Sequence, residues 1–200
     1  MIKQVIYSRA ILSIYQQPKK GERMCGDIYF TYDTEQYIIV GIADGLGSGE
    51  EAFQAASQVL QCLEQSHHLS LKEIFLLCNH RLHHSRGAVL GIMKFFYQEE
   101  VVRYASIGNI QLVLFPSPNE GIRGIPRPGY LSGKPIHVRE EEVQVKGPFR
   151  FIMYSDGFQV APSTLHFIQS MPNSTVNQEV LRQIGAEATD DLTVLLGEVL

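Results

Sequence analysis

The stretch from Tyr37 to Glu50 reads YIIVGIADGLGSGE: an apolar run, a turn on Asp44-Gly45, and a glycine-rich bend leading into a helical pattern. An apolar run of that length between turn residues reads as a buried strand, so Asp44 stands at a strand end. The arrangement recurs at Gly26-Asp27 before IYFTY, at Asp156-Gly157 after FRFIMYS, and at Asp190-Asp191 before LTVLLGEV. A sheet can bring such strand ends together from distant parts of a chain. Carboxylates packed side by side repel and are costly to desolvate, so a cluster of them calls for protons or cations. Oxygen-only donors suit a hard divalent ion, Mg²⁺ or Mn²⁺.

Working outward, residues 2–16 suggest one or two opening strands, and QPKKGERMCG is a turn-rich loop. Strands over 28–33 and 37–43, joined by Asp33-Thr34-Glu35-Gln36, predict an antiparallel hairpin. Helical spacing follows over 49–66, and Ser48 with Glu51 is a capping-box signal. Ser70 with Glu73 repeats it for a second helix, expected to end near Gly87, with Leu71, Ile74, Phe75, Cys78 and Leu82 on one face. Residues 88–97, 100–106 and 110–115 read as a meander with a turn at Gly108-Asn109, and 116–129 as a proline-rich loop. Strands are expected at 143–146, 149–154 and 192–199, and helices at 163–170 and 175–186. Without regular βαβ alternation, this order favours two antiparallel sheets face to face with helices outside, an α+β class.

Bulk numbers narrow the function. Two hundred residues, 44% hydrophobic and 19% charged, fit one globular domain over 1–200. A formal charge of −4 and a pI near 6.0 give no basic stripe for nucleic acid. Cys25, Cys62 and Cys78 form no Cys-x-x-Cys pair, so neither a disulfide framework nor a zinc site is indicated. Cys62 and Cys78 fall on apolar helix stripes and read as core. The N-terminus lacks a signal-peptide core and no run reaches the ~20 apolar residues of a membrane span, so the expectation is a cytoplasmic protein, monomeric for want of any coiled-coil segment.

Gly26-Asp27, Asp44-Gly45-Leu46-Gly47, Ser155-Asp156-Gly157 and Asp190-Asp191-Leu192-Thr193 follow the order found in the PPM (PP2C-type) metal-dependent serine/threonine phosphatases. The resemblance runs from about residue 20 to the end. The short chain and its Asp-Gly-Leu-Gly-Ser-Gly turn resemble the bacterial branch acting on regulators of sigma factors. It implies an αββα sandwich with two Mn²⁺ or Mg²⁺ ions between the sheets at one end. Carried over by motif, Asp44 would bridge both ions and the Gly45 carbonyl would bind one. Asp156 with Asp190 or Asp191 would hold the other, and Asp27 would hold an ion or its waters. On this reading Asp27, Asp44, Asp156 and Asp190 carry catalysis. Arg23, shortly before the first acid, is the candidate phosphate grip. The resemblance also implies phosphorylated regulators of a stress-signalling complex as partners. It departs at Leu46, where many relatives carry a histidine proposed as general acid.

Other readings compete. A pseudo-phosphatase would bind a phosphoprotein without turnover, although the full set of acids argues against it. A haloacid-dehalogenase-type enzyme needs Asp-x-Asp, which this chain lacks. His80 and His84 have i, i+4 spacing, but they point away from the buried stripe and have no third ligand nearby. Gly45, Gly47 and Gly49 match neither the dinucleotide pattern nor the P-loop, and read as a tight strand-to-helix turn. Ser48 lacks a Gly-x-Ser-x-Gly elbow.

Overall fold

The computed structural model describes residues 2–117, 120–157, 160–170 and 190–200. Two antiparallel sheets stack face to face. The first contains β1 (Ile2–Ile6), β2 (Ala10–Gln17), β11 (Leu192–Val199), β10 (Phe149–Tyr154), β7 (Gln111–Ser117) and β8 (Glu120–Arg123), in that spatial order. The second runs β3 (Asp27–Asp33), β4 (Tyr37–Gly45), β5 (Ala88–Phe96), β6 (Val101–Ile107) and β9 (Glu141–Gln144).

Three apolar layers follow from the alternation of side chains along these strands. Leu12, Ile14, Ile42, Met93, Phe151 and Leu195 fill the space between the sheets. On the outer face of the second sheet lie α1 (Glu50–Ser66) and α2 (Leu71–Arg81), with Ile39, Leu90 and Ile92 meeting Val59, Leu63 and Phe75. The stripe that α1 buries includes Ala52, Ala55 and Ala56, whose small side chains let the helix lie close to the strands. α3 (Pro162–Ser170) covers the first sheet through Leu165 and Ile168. The αββα sandwich is therefore present, and Cys62 and Cys78 are core residues as expected.

Several expectations need correction. The second helix ends at Arg81, capped at Leu82, instead of near Gly87. His84 lies beyond it with a φ of 73°, so the i, i+4 spacing of His80 and His84 is not a helical pair. The meander does not continue past β6, because β7 crosses to the first sheet and pairs with β10 and β8. The proline-rich loop contains β8, and β9 begins two residues earlier than its apolar pattern suggested. The helix expected over 175–186 lies outside the described residues.

The two capping signals part company. Ser70 accepts from the Glu73 backbone N–H at 3.3 Å while Glu73 accepts from the Ser70 backbone N–H at 3.0 Å, a complete capping box. For α1 the N-cap is Gly49, at φ 74°, and no side chain caps it. Glu51 turns to Arg86 instead. Ser70→Ala should therefore cost about 1 kcal/mol in urea denaturation, whereas Ser48→Ala should leave the unfolding midpoint in place.

Candidate metal centre

The strand ends meet at one edge of the sandwich. β3 and β4 pair in register so that Asp27 stands opposite Asp44. From the other sheet, the residues just after β10 and just before β11 bring Ser155-Asp156 beside Asp190-Asp191. Two glycines record how tightly they pack. A Cβ on Gly26 would lie 2.8 Å from Asp191 Oδ2, and one on Gly157 would lie 2.2 Å from the Asp191 carbonyl oxygen. Side chains at either place would push the Asp190-Asp191 turn out of position.

Asp44, Asp156, Asp190 and Asp191 line a cavity of about 320 Å³ with Lys19, Leu46, Gly47 and Asn109. Asp27 lies behind it, 1% exposed, with Oδ2 accepting from the Ser155 hydroxyl at 2.6 Å. Ser155 Oγ in turn accepts from the Thr193 backbone N–H at 2.9 Å. Gln16 Nε2 donates to the Asp27 carbonyl at 2.9 Å. Gly45 ends β4 against α1, where a Cβ would come within 1.9 Å of the Ala52 carbonyl oxygen.

The predicted acids are thus brought to one edge, but Arg23 is not among them. It is exposed in the loop before β3 and does not line the cavity. Among the described residues, no three His, Cys, Asp or Glu side chains are drawn in closely enough to grip an ion as they stand. Lys19 Nζ instead lies 3.3 Å from Asp190 Oδ1, and Asn109 Nδ2 donates to Asp156 Oδ2 at 2.6 Å. Sequence reasoning missed Lys19, Asn109 and Ser155 as members of this site. Ser155 was visible only as part of a motif, Asn109 only as a turn residue, and Lys19 only as one residue of a turn-rich loop.

The pattern of the SpoIIE family (Stage II sporulation protein E) matches residues 34–200. The chain belongs to this family. It is similar to phosphoserine phosphatase RsbX of Bacillus subtilis (strain 168), with 28% identity over 186 residues, 93% of each chain. A crystal structure of RsbX in complex with magnesium matches at TM-score 0.90 and 30% identity over 100% of both chains. A chain solved in work on the bacterial stressosome, a modular system adapted to control secondary messenger signalling, matches at TM-score 0.84 and 27% identity, covering 96% of this chain and 100% of that one. The PP2C phosphatase domain of SpoIIE from Bacillus subtilis shares the fold, with a TM-score of 0.79 at 16% identity over 96% of this chain and 64% of that one.

In this SpoIIE-family chain the acids disturb one another as expected of a cation site. Burial, then the charges of Asp27, Asp156, Asp191 and Asp190, push the Asp44 carboxyl up to about 8. Burial pushes Asp27 up to about 7 against the lowering effect of Ser155 and Thr193. Asp156 is also raised, by burial and by Asp190. Asp27 Oδ1 and Asp191 Oδ2 are buried with no hydrogen-bond partner. Unpartnered carboxylate oxygens among like charges fit a hard cation, which would satisfy both the lone pairs and the charge.

Two outcomes follow. Carboxyls raised above their unfolded value of 3.8 make the native state bind more protons than the unfolded one, so stability falls as pH rises through that window. The melting temperature of EDTA-treated protein should drop between about pH 5 and pH 8, and excess Mg²⁺ should raise it most at the upper end. Ser155→Ala strands Asp27 Oδ2 and the Thr193 N–H, and should cost about 1–3 kcal/mol in denaturant unfolding.

Proposed function

We propose that this chain is a metal-dependent protein phosphatase that hydrolyses phosphoserine or phosphothreonine on regulators of the general stress (sigma-B) signalling complex, acting as a negative feedback regulator. The observation that carries the reading is the cavity where Asp44, Asp156, Asp190 and Asp191 meet, backed by the buried, unpartnered oxygens of Asp27 and Asp191. The likeness to RsbX, a phosphoserine phosphatase, and to the stressosome chain supports the choice of substrate class. On the same reading the protein works in the cytoplasm as a monomer, and residues 1–200 form one phosphatase domain.

Two Mn²⁺ or Mg²⁺ ions, when bound, would neutralise phosphoryl oxygens and lower the pKa of a water from 15.7 towards ~7. The chain's part is to hold and orient. Asp44 and the Gly45 carbonyl would be ligands from β4, and Asp156, Asp190 and Asp191 from the opposite sheet. Asp27, fixed by Ser155 and Gln16, presents its free oxygen from behind. Asn109 and Lys19 would yield Asp156 and Asp190 to the ions, since each now supplies the hydrogen bond or positive charge a cation would replace. Leu46 lines the cavity without a transferable proton, so the proton for the leaving seryl oxygen would come from water or from another residue of the site.

Asp44→Ala and Asp156→Ala should each abolish Mn²⁺-dependent phosphate release from a phosphoserine protein, with the far-ultraviolet circular dichroism unchanged. An Asp44→Ala protein with wild-type turnover sinks the proposal. A wild-type protein that binds the phosphoprotein yet releases no phosphate would instead be the pseudo-phosphatase.

A further inference from the structure

Arg86 stands at the lip of the metal cavity, beside its lining residue Gly47. Its Nη1 is 2.7 Å from where a Cβ on Gly47 would stand, and Gly47, at φ 99°, lines the cavity beside Asp44. The segment is pinned there, because the Leu46 N–H donates to the Gly87 carbonyl at 3.0 Å. Arg86 also borders a polar recess of about 340 Å³ with Glu51, Gln54, Gln58, His83, His84 and Ser85.

The charge layout gives this position a use. The cavity is walled by four aspartates, and its one lysine, Lys19, is engaged by Asp190. Arg86 is a cation just outside that acidic wall, half-exposed, and it pairs with Glu51 in the first turn of α1. Both members of that pair are more than half exposed, so the pair holds little free energy and exchanges readily. A guanidinium donates two parallel N–H bonds to a carboxylate, a geometry any other carboxylate can take over.

We propose that Arg86 is a specificity-determining residue: it takes a carboxylate of the substrate protein, from an Asp or Glu flanking the phosphoserine, with the recess beside it as the receiving subsite. Glu51 is the internal competitor that the substrate's carboxylate displaces. The inference rests on the phosphatase reading above for the position of the phosphoserine, and adds what the enzyme reads next to it.

The test uses two phosphoserine peptides identical except for Glu or Gln at the flanking positions, with p-nitrophenyl phosphate as a substrate that has no flank. With Mn²⁺, the full chain should show a lower KM for the Glu peptide. Arg86→Ala should raise that KM about threefold to fivefold, the upper range for an exposed ion pair, with kcat, the Gln peptide and p-nitrophenyl phosphate unchanged. Glu51→Gln should lower the KM for the Glu peptide. An acid preference that survives Arg86→Ala, or a loss shared by all three substrates, overturns the proposal. Should the wild type turn over none of them, the phosphatase reading fails by itself. The same preference is then read as binding, by fluorescence anisotropy of the labelled peptides with Mn²⁺ present, where equal affinity of wild type and Arg86→Ala for the Glu peptide overturns the inference.

Discussion

The hydroxyl of Ser155 donates to Asp27 across the gap between the sheets and accepts from the Thr193 backbone within its own sheet. Everything at the acidic edge hangs from that seam. Asp27 belongs to β3 in one sheet, whereas Gln16 and Thr193 belong to the other and Ser155 directly follows that sheet's β10. A buried carboxylate would ordinarily be expelled or protonated. Here the Ser155 hydroxyl donates to one carboxylate oxygen and Gln16 to the backbone carbonyl of the same residue, which holds Asp27 in place and leaves its other carboxylate oxygen free. The sheets are thus locked together at the very end where their other acids converge.

The repulsion among those acids is an energetic liability that the rest of the sandwich must outweigh. Three apolar layers do so, the middle one running from Leu12 to Leu195 between the sheets and the outer ones beneath the helices. Asp27 and Asp44 face each other at the end of the β3–β4 ladder, while Asp156, Asp190 and Asp191 stand just beyond the paired ends of β10 and β11, so the like charges gather at the rim and leave the apolar middle of the sandwich undisturbed. A cation then converts the liability into function, which is why unpartnered oxygens persist where a purely structural site would have paired them.

Much of this was legible in the residues. The β3–β4 hairpin, both α1 and α2, the buried faces of the helices and the four acidic turns all follow from short-range patterns: apolar alternation, helical spacing, turn residues. The errors share one cause. β7 reads as the third strand of a meander because its local pattern is that of any buried strand, yet it pairs in the other sheet. Ser48 reads as a cap because the spacing to Glu51 is right, but Arg86, distant in sequence, claims Glu51. Helix α2 stops at Arg81, short of the Gly87 its pattern suggested, because the chain must turn back at Leu82 to begin β5.

By itself, then, the sequence determined most of the strands, the positions of α1 and α2, which of their faces are apolar, and which acids stand at strand ends, since each is a property of neighbours along the chain. Tertiary structure alone decided that β7 changes sheets, that Asn109 and Lys19 meet Asp156 and Asp190, and that Arg86 overhangs Gly47. Those contacts depend on how two twisted sheets and their crossovers come to rest against one another, and no local periodicity encodes that distance.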